Sequence, residues 1–261
     1  MPVVELHGQR IHYEDSGGDG IPVVFGHGFL MDGEMFLAQV RALAPRHRVV
    51  RWDARGHGRT EATTDPFTYW DLAQDLAALL DHLGIELAVV GGMSQGGFVA
   101  LRFALEYPNR VRALVLIDTQ SGLEDPEKSE QYDLMHEVWT GSGPSDQLLS
   151  MVAAIIIGNE APESPAWIDK WRVREPRALT QIYRTLMDRD DITDGLGEIK
   201  APALVIHGTD DVAIDMPLAE RLCQNLRGCR GVVKIDGAGH ASNLTHPEPV
   251  NRAIEEFLDS L

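Results

Sequence analysis

Cysteine is nearly absent from this sequence, whose 261 residues include only Cys223 and Cys229. One pair of cysteines cannot provide the disulfide framework that stabilises many small secreted domains. We therefore expect two reduced thiols, one on a helix and one in a loop. The first residues also lack the basic stretch followed by an apolar stretch that marks a signal peptide. Together these two absences predict a cytoplasmic protein.

Basic residues and long apolar runs are also scarce. Lys and Arg number 23 against 40 Asp and Glu, which gives a net charge of −17 at pH 7. A field of that sign repels phosphate groups, so we expect no nucleic-acid partner. No segment approaches the ~20 consecutive apolar residues that span a membrane, so we expect no membrane partner either. The expected partner is a small molecule, and the sequence leaves the oligomeric state open.

Short apolar segments alternate with amphipathic ones along most of the chain. The expected strands cover residues 3–6, 10–15, 22–26, 49–52, 87–91, 111–117, 203–207 and 232–235, and the expected helices cover residues 34–43, 69–83, 95–107, 217–226 and 248–261. Strands that alternate with helices form a mostly parallel sheet with right-handed crossovers and helices on both faces. The sequence thus predicts an α/β fold built on an eight-stranded sheet.

One interval of 77 residues, from Ser121 to Gly197, interrupts this alternation. It contains no convincing buried strand, and prolines divide it into short segments. A structureless loop of this length is uncommon in a compact domain. We therefore expect a helical cap over residues 121–197, carried by a core of residues 1–120 and 198–261. The cap emerges beyond the carboxyl ends of the strands, where open α/β sheets bind ligands.

A candidate nucleophile, Ser94, lies between a predicted strand and a predicted helix, in the sequence Gly92-Met93-Ser94-Gln95-Gly96-Gly97. In such a sharp turn the serine backbone is strained and its hydroxyl projects outward. The flanking glycines are needed because side chains there would collide with neighbouring backbone. The motif in this context predicts a catalytic serine, since the bare pattern also occurs in ordinary turns.

A serine nucleophile needs a base, and the base needs an acid that orients it. His240 follows the last predicted strand and is the candidate base, whereas we expect His246 to be a helix-start residue and His207 to be structural. Asp210 and Asp211 offer two carboxylates for the acid, and from position alone either fits. The chain order of serine, aspartate and histidine is the order found in α/β-hydrolases.

The predicted third strand ends in Phe25-Gly26-His27-Gly28-Phe29. In this topology a backbone N–H just after that strand and the N–H that follows the nucleophile form the oxyanion hole. The expected donors are the backbone N–H groups of Phe29 and Gln95.

Taken together, these motifs resemble those of the α/β-hydrolase superfamily, as does the loop Asp53-Ala54-Arg55-Gly56-His57-Gly58-Arg59. The resemblance covers essentially every core element and implies that Asp211, rather than Asp210, is the acid. It also implies a structural role for the 53–59 loop. Relatives with aspartate in place of Ser94, namely haloalkane dehalogenases and epoxide hydrolases, are disfavoured.

The resemblance implies a carboxylic-ester hydrolase that needs no metal or organic cofactor and acts on an ester or a lactone. The segments around Arg51 and His240 are similar to those of 3-oxoadipate enol-lactonases, which keeps a lactonase open. The same motifs are compatible with a cofactor-free perhydrolase or haloperoxidase and with a small-molecule receptor of this fold. An anionic lactone would need a cation, and Arg172, Arg174 and Arg177 could supply one, although we favour solvated helix faces for them.

The cap should supply apolar side chains to the acyl pocket, since ligand sites are mostly apolar. The expected substrate-binding residues are Trp139, Met151 and Ile155 from the cap, with Phe29 and Met93 from the core. We expect the wall to be formed mainly by residues 148–156.

Overall fold

Eight strands form one sheet in the order β1-β2-β4-β3-β5-β6-β7-β8. The computed structural model describes residues 2–123, 125–158 and 160–261. The strands are β1 (Val3–Leu6), β2 (Gln9–Asp15), β3 (Pro22–Gly26), β4 (Arg48–Trp52), β5 (Ala88–Met93), β6 (Val111–Ile117), β7 (Ala203–Gly208) and β8 (Cys229–Ile235). β1 and β2 pair antiparallel, as do β2 and β4, and the remaining pairs are parallel. The predicted eight-stranded, mostly parallel sheet is confirmed.

The helices are α1 (Leu37–Leu43), α2 (Tyr69–His82), α3 (Gln95–Glu106), α4 (Pro126–Ser142), α5 (Asp146–Ile156), α6 (Ser164–Arg172), α7 (Pro176–Met187), α8 (Met216–Asn225), α9 (Ser242–Thr245) and α10 (Pro247–Leu258). The crossover from β3 to β4 runs in one direction along the sheet and the crossover from β4 to β5 runs back. Because both are right-handed, α1 and α2 must cover opposite faces. Consistently, α10 packs on α1 and α3 packs on α2.

A capping box begins α2. The Thr68 side chain accepts a hydrogen bond from the backbone N–H of Asp71, whose carboxylate accepts one from the backbone of Thr68. Gly84 follows the helix with φ of +65°, as a helix stop requires. By contrast, the helix predicted over 34–43 is divided, because Asp32 caps a short 3₁₀ turn, Gly33–Phe36, before α1 begins.

The central strands are covered on both faces, and every residue of β5 is buried. Between β6 and β7 the chain forms α4 to α7 and a 3₁₀ segment, Thr193–Glu198, and the residues described there form no strand. These helices pack on one another, α4 on α7 and α5 on α6. Across the described chain, no helix combines the length and the apolar character that membrane crossing needs.

The expectation of two reduced thiols is wrong, because Cys223 and Cys229 form a disulfide. The bond joins α8 to the first residue of β8. The strand predicted over 232–235 in fact begins at Cys229. Cys229 therefore lies at the start of β8, close to Cys223 in the last turn of α8. Sequence spacing alone did not show this approach.

Candidate active site

Ser94 occupies the turn between β5 and α3 in a conformation that L residues rarely adopt, with φ of 50° and ψ of −112°. Its backbone N–H donates to the carbonyl of Ile117 at 2.9 Å, and its carbonyl accepts from Thr119 Oγ1 at 2.8 Å. Both partners flank the end of β6. Hydrogen bonds to the neighbouring strand end therefore hold the strained turn in place.

Two glycines make this turn possible. A Cβ on Gly92 would lie 2.6 Å from the carbonyl oxygen of Gly26, and a Cβ on Gly96 would overlap that same oxygen. The end of β3 therefore approaches the turn closely only because both positions lack a side chain. This close approach brings the loop after β3 next to Ser94.

His240 Nδ1 lies 2.9 Å from Asp211 Oδ2, and both side chains are buried. The other carboxylate oxygen of Asp211 accepts hydrogen bonds from the backbone N–H groups of Ala213 and Ile214, at 2.9 Å each. Burial alone would raise the pKa of Asp211, but the charge and hydrogen bond of His240 and the backbone hydrogen bond outweigh it and hold that pKa below its ordinary value. The geometry thus provides an ionised carboxylate that orients the imidazole.

The structure separates the candidate acids and the candidate bases that the sequence offered. Asp210 is exposed, and its carboxylate accepts a hydrogen bond from Thr209 Oγ1 at 3.0 Å. His246 Nδ1 lies 2.9 Å from Thr245 Oγ1 and lines a second groove of about 410 Å³ rather than the cavity at Ser94. The structure brings Asp211, and neither of these residues, to His240.

The expected oxyanion donors lie on either side of Ser94. Gln95 is the first residue of α3, and Phe29 follows Gly28 at the end of the β3 loop. Among the described residues, no acceptor in the protein pairs with either backbone N–H. A Cβ on Gly28 would lie 2.6 Å from Met93 Sδ, so this loop packs tightly on the turn that carries Ser94.

A cavity of about 570 Å³ opens above Ser94. It is mainly apolar, and its lining includes Gly28, Phe29, Leu30, Met93, Ser94, Phe98, Lys128, Gln131, Tyr132, Leu134, Met135, Val138, Ser145, Gln147, Leu148, Met151, Val152, Ile155, Ile156, Leu186, Val212, Ala213, Ile214 and His240. The structure thus brings together four of the five expected substrate-binding residues: Phe29, Met93, Met151 and Ile155.

Trp139, the fifth expected substrate-binding residue, is not among the described residues that line this cavity. Its side chain is completely buried, and its indole nitrogen has no hydrogen-bond partner among the described residues. The ring is therefore enclosed by protein and is not exposed at the opening of the cavity. Sequence spacing indicated an apolar cap residue but could not distinguish the inner face of α4 from the cavity face.

Two of the three candidate cations, Arg172 and Arg174, are not among the residues that line the cavity. Arg172 pairs with Asp146 and Asp169, and Arg174 donates to the carbonyl of Gly56. The side chain of Arg177 lies outside what the structure describes. Lys128 does line the cavity, but its ammonium group donates to the carbonyl of Ala213 at 3.0 Å and pairs with Asp215 at 3.2 Å.

One buried group beside Asp211 and His240, Asp118, was not predicted from the sequence. With His207 and Asp211 it forms a set whose potential metal-ligand atoms lie within 4.8 Å of one another. However, Asp118 accepts hydrogen bonds from Gly208 and Ser242. The carboxylate of Asp211 is already bound to His240 and to the backbone N–H groups of Ala213 and Ile214. These hydrogen bonds explain why the three side chains lie close together, so no metal ion is required between them. Burial, followed by the nearby Asp211 carboxylate, raises the pKa of Asp118 to about 7.

The 53–59 loop is held by hydrogen bonds within the core. Asp53 accepts from the backbone N–H groups of Gly33 at 2.8 Å and Arg59 at 2.9 Å, and it lies 2.9 Å from His12 Nδ1. Burial lowers the pKa of His57 well below its ordinary value, and the nearby His27 and Arg174 lower it further. These contacts fit the structural role expected for the loop.

The sequence and the structure of this chain are similar to those of known α/β-hydrolase-fold proteins. Residues 21–140 match the family model described as alpha/beta hydrolase fold. A thermophilic esterase from Thermogutta terrifontis is 30% identical with a TM-score of 0.88, over 97% of this chain and 94% of that one. The enol-lactonase from Burkholderia xenovorans LB400 is 27% identical with a TM-score of 0.90, over 99% of this chain and 100% of that one. The non-heme chloroperoxidase of Streptomyces lividans is 28% identical over 273 aligned residues, covering 99% of each chain.

The fold and the comparisons define the protein as a hydrolase. The chain belongs to the α/β-hydrolase family, which confirms the resemblance found in its sequence.

Proposed function

We propose that this protein is a serine hydrolase that cleaves carboxylic esters of small to medium size. One observation carries the proposal: His240, hydrogen-bonded to Asp211 at 2.9 Å, lines the same cavity as the strained Ser94. A nucleophile, a base and an orienting acid are the three groups that acyl transfer through a serine needs.

In the proposed mechanism, Ser94 Oγ attacks the ester carbonyl while His240 Nε2 accepts the hydroxyl proton. The backbone N–H groups of Phe29 and Gln95 stabilise the tetrahedral oxyanion. Collapse of this intermediate breaks the bond to the alcohol, which leaves with the proton from His240. A water molecule then attacks the acyl-enzyme, with His240 again acting as base, and releases the acid. Throughout, Asp211 holds the imidazole in the required tautomer and stabilises its charged form.

The cavity favours an uncharged acyl group. Its walls are mainly apolar, and Lys128, the one Lys or Arg in its described lining, is neutralised by Asp215. An anionic substrate would leave water for a site with no unpaired cation, which is costly. The net charge of −17 opposes it as well. The proposed substrates are therefore neutral esters with short to medium aliphatic acyl chains.

A lactonase is the second candidate, favoured by the similarity to the enol-lactonase from Burkholderia xenovorans LB400. A lactone is a cyclic ester, so the same residues would open it by the same steps. The charge of the cavity favours neutral lactones over carboxylated ones. Assays of peracid formation and of multiple ester turnover distinguish both candidates from a perhydrolase and from a small-molecule receptor.

We also propose that residues 121–197 act as a cap on a core of residues 1–120 and 198–261, since α4 and α5 both contribute to the cavity lining. The disulfide between Cys223 and Cys229 does not support a cytoplasmic location, because disulfides are rare in the cytoplasm.

The central experiment is ester turnover combined with covalent labelling. Wild type should hydrolyse p-nitrophenyl esters over many turnovers, and a fluorophosphonate should label Ser94. Ser94→Ala should fold normally and lose both activities, and His240→Ala should lose nearly as much turnover because the groups act as a unit. His246→Ala should remain close to wild type. Labelling of another serine, or full activity in Ser94→Ala, would overturn the mechanism, and a single slow turnover would favour a receptor.

The paired aspartates give a matched comparison. Asp211→Asn should lower kcat by roughly 10³- to 10⁴-fold, because an amide cannot stabilise the imidazolium and favours the wrong tautomer. Asp210→Asn makes the same chemical change on an exposed neighbour and should cost far less. Equal losses would mean that the two carboxylates share the role. Assays with γ-lactones and with peracid formation in the same preparations separate the remaining activities.

A further inference from the structure

The side chain of Asp118, at the end of β6, is completely buried and takes no part in the proposed chemistry. Its backbone has φ of +47°, an uncommon conformation for a residue other than glycine. Buried carboxylates and strained residues both cost stability, so they persist where the surrounding structure fixes them. Asp118 has both the buried carboxylate and the strained backbone, and it lies beside the proposed active site.

The two oxygens of Asp118 bind two different loops. Oδ1 accepts the backbone N–H of Gly208 at 2.8 Å, three residues before Asp211. Oδ2 accepts the backbone N–H of Ser242 at 2.9 Å and its hydroxyl at 2.6 Å, two residues after His240. A single carboxylate thus links the loop of the acid to the loop of the base.

The residues on either side of Asp118 hold the nucleophile. Ile117 accepts the backbone N–H of Ser94, and Thr119 donates to the carbonyl of Ser94. Three consecutive residues at the end of β6 therefore contact all three segments that carry the proposed serine, aspartate and histidine. The end of β6 lies at the junction of these segments, so a change there reaches each of them directly.

The charged and titratable groups around Asp118 are those of the site. The Asp211 carboxylate and the His240 imidazole act on it electrostatically, and His207 Nδ1 lies 3.9 Å from Asp118 Oδ1. His207 Nε2 lies 2.8 Å from the carbonyl of Ile214 and 3.3 Å from Asp211 Oδ2. A negative charge on Asp118 favours the imidazolium form of His240, the form that appears during proton transfer.

We propose that Asp118 is a positioning residue that fixes the loops of Asp211 and His240 relative to Ser94 and adds a second buried carboxylate behind the histidine. The inference rests on the proposed serine-hydrolase function. If it is correct, the end of β6 contributes to the rate of turnover as well as to the stability of the fold.

Asp118→Asn tests the proposal because an amide can satisfy only one of the two loops. Its oxygen can still accept the N–H of Gly208, but its NH₂ group then faces the N–H of Ser242, which is also a donor. We expect kcat per active site, counted by fluorophosphonate labelling, to fall by about 10-fold or more, with KM nearly unchanged. The acid limb of the kcat/KM profile should move to lower pH, because the histidine loses a neighbouring carboxyl group whose pKa of about 7 lets it become negatively charged in the same pH range.

Asp210→Asn is the matched control, since it makes the same substitution on the exposed carboxylate next to Asp211, and it should keep the wild-type profile. A purely structural role would lower the melting temperature or the labelled fraction of Asp118→Asn, with wild-type kcat per labelled site and a wild-type acid limb. That result would overturn the proposal.

Ser242→Ala removes only the 2.6 Å hydroxyl bond and provides the test if Asp118→Asn does not fold. A several-fold loss of kcat per labelled site, with a smaller shift of the acid limb in the same direction, supports the proposal, and a wild-type profile contradicts it. If the wild-type protein itself neither turns over esters nor takes the label, the proposed function fails and this inference fails with it. A wild-type enzyme that is active beside unaffected variants overturns this inference alone.

Discussion

The indole nitrogen of Trp171, in α6, donates a hydrogen bond to the carbonyl oxygen of Leu30 at 2.9 Å. Leu30 directly follows the proposed oxyanion donor Phe29 and has φ of +64°. Trp171 is buried, so no water molecule can easily replace this bond. Through this contact α6 holds the backbone next to the proposed oxyanion donor in a strained conformation.

Trp171→Phe should therefore impair turnover as well as stability. The ring is nearly preserved, but the buried carbonyl of Leu30 loses its donor, at a cost of ~1–3 kcal/mol. We expect a lower melting temperature and a several-fold lower kcat, because the Phe29 N–H is less well fixed. Trp167→Phe is the control, since no acceptor is described for its indole nitrogen and it should affect kcat little. Equal kcat values in the two variants would contradict a link between cap and oxyanion loop.

The stability of the protein should depend on pH through Asp118. Its pKa is raised to about 7, first by burial and then by Asp211, whereas an unfolded aspartate has a pKa of about 3.9. Between these values the folded chain keeps a proton that the unfolded chain has lost. The stabilising contribution of this group is therefore complete below the unfolded pKa and is lost as pH rises through about 7.

Asp118→Asn cannot titrate, so the melting temperature of wild type minus that of the variant should decrease between pH 5 and pH 8. Differential scanning calorimetry across that range measures it, with Asp210→Asn as a variant whose curve should run parallel to wild type. A difference that stays constant with pH would show that Asp118 does not change its ionisation in this range.

Local sequence predicted the nucleophile turn better than it predicted the surrounding contacts. The geometry at Ser94 depends on adjacent glycines that are visible in the sequence, and His240 and Asp211 follow strands whose apolar runs are equally visible. Asp118 was missed because its partner Ser242 is 124 residues away. The bond from Trp171 to Leu30 spans 141 residues. Contacts of this kind depend on tertiary packing, which no residue pattern near either partner encodes.

The glycines of the turn give a prediction about stability. A methyl group on Gly96 would overlap the carbonyl oxygen of Gly26, which belongs to a buried strand and cannot move freely. Gly96→Ala should therefore lower the free energy of unfolding by ~1–3 kcal/mol and also reduce turnover, because the oxyanion loop shifts away from Ser94.

Gly141→Ala is the matched control for that change. Gly141 lies in α4, and an added Cβ would meet nothing within 4 Å. Alanine is favoured over glycine in a helix by roughly 0.5–1 kcal/mol, so this variant should be slightly more stable than wild type. Urea denaturation gives both values. If Gly96→Ala behaved like Gly141→Ala, the close approach of β3 to the nucleophile turn would be absent in solution.

The apolar side chains of α5 should determine which acyl chains the enzyme prefers. Met151 and Ile155 line the cavity yet are 54% and 38% exposed, so they stand at its mouth rather than in the core. Truncation there should cost little stability and should change the space available to the acyl chain. One methylene in an apolar pocket is worth ~1–3 kcal/mol, so Met151→Ala and Ile155→Ala should change the ratio of kcat/KM between acyl lengths by about 10-fold or more.

Two control variants separate the pocket from the rest of the cap. Val173→Ala changes a side chain that is 83% exposed and does not line the cavity, and its acyl-length profile should match that of wild type. Trp139→Phe changes a completely buried cap residue outside the cavity lining and should lower the melting temperature without changing that profile. The measurement is kcat/KM for p-nitrophenyl esters from acetate to decanoate. If the profiles of Met151→Ala and Ile155→Ala match wild type as well, the acyl chain does not contact α5, and the binding wall must be sought among the residues of α4 and the loop after β7.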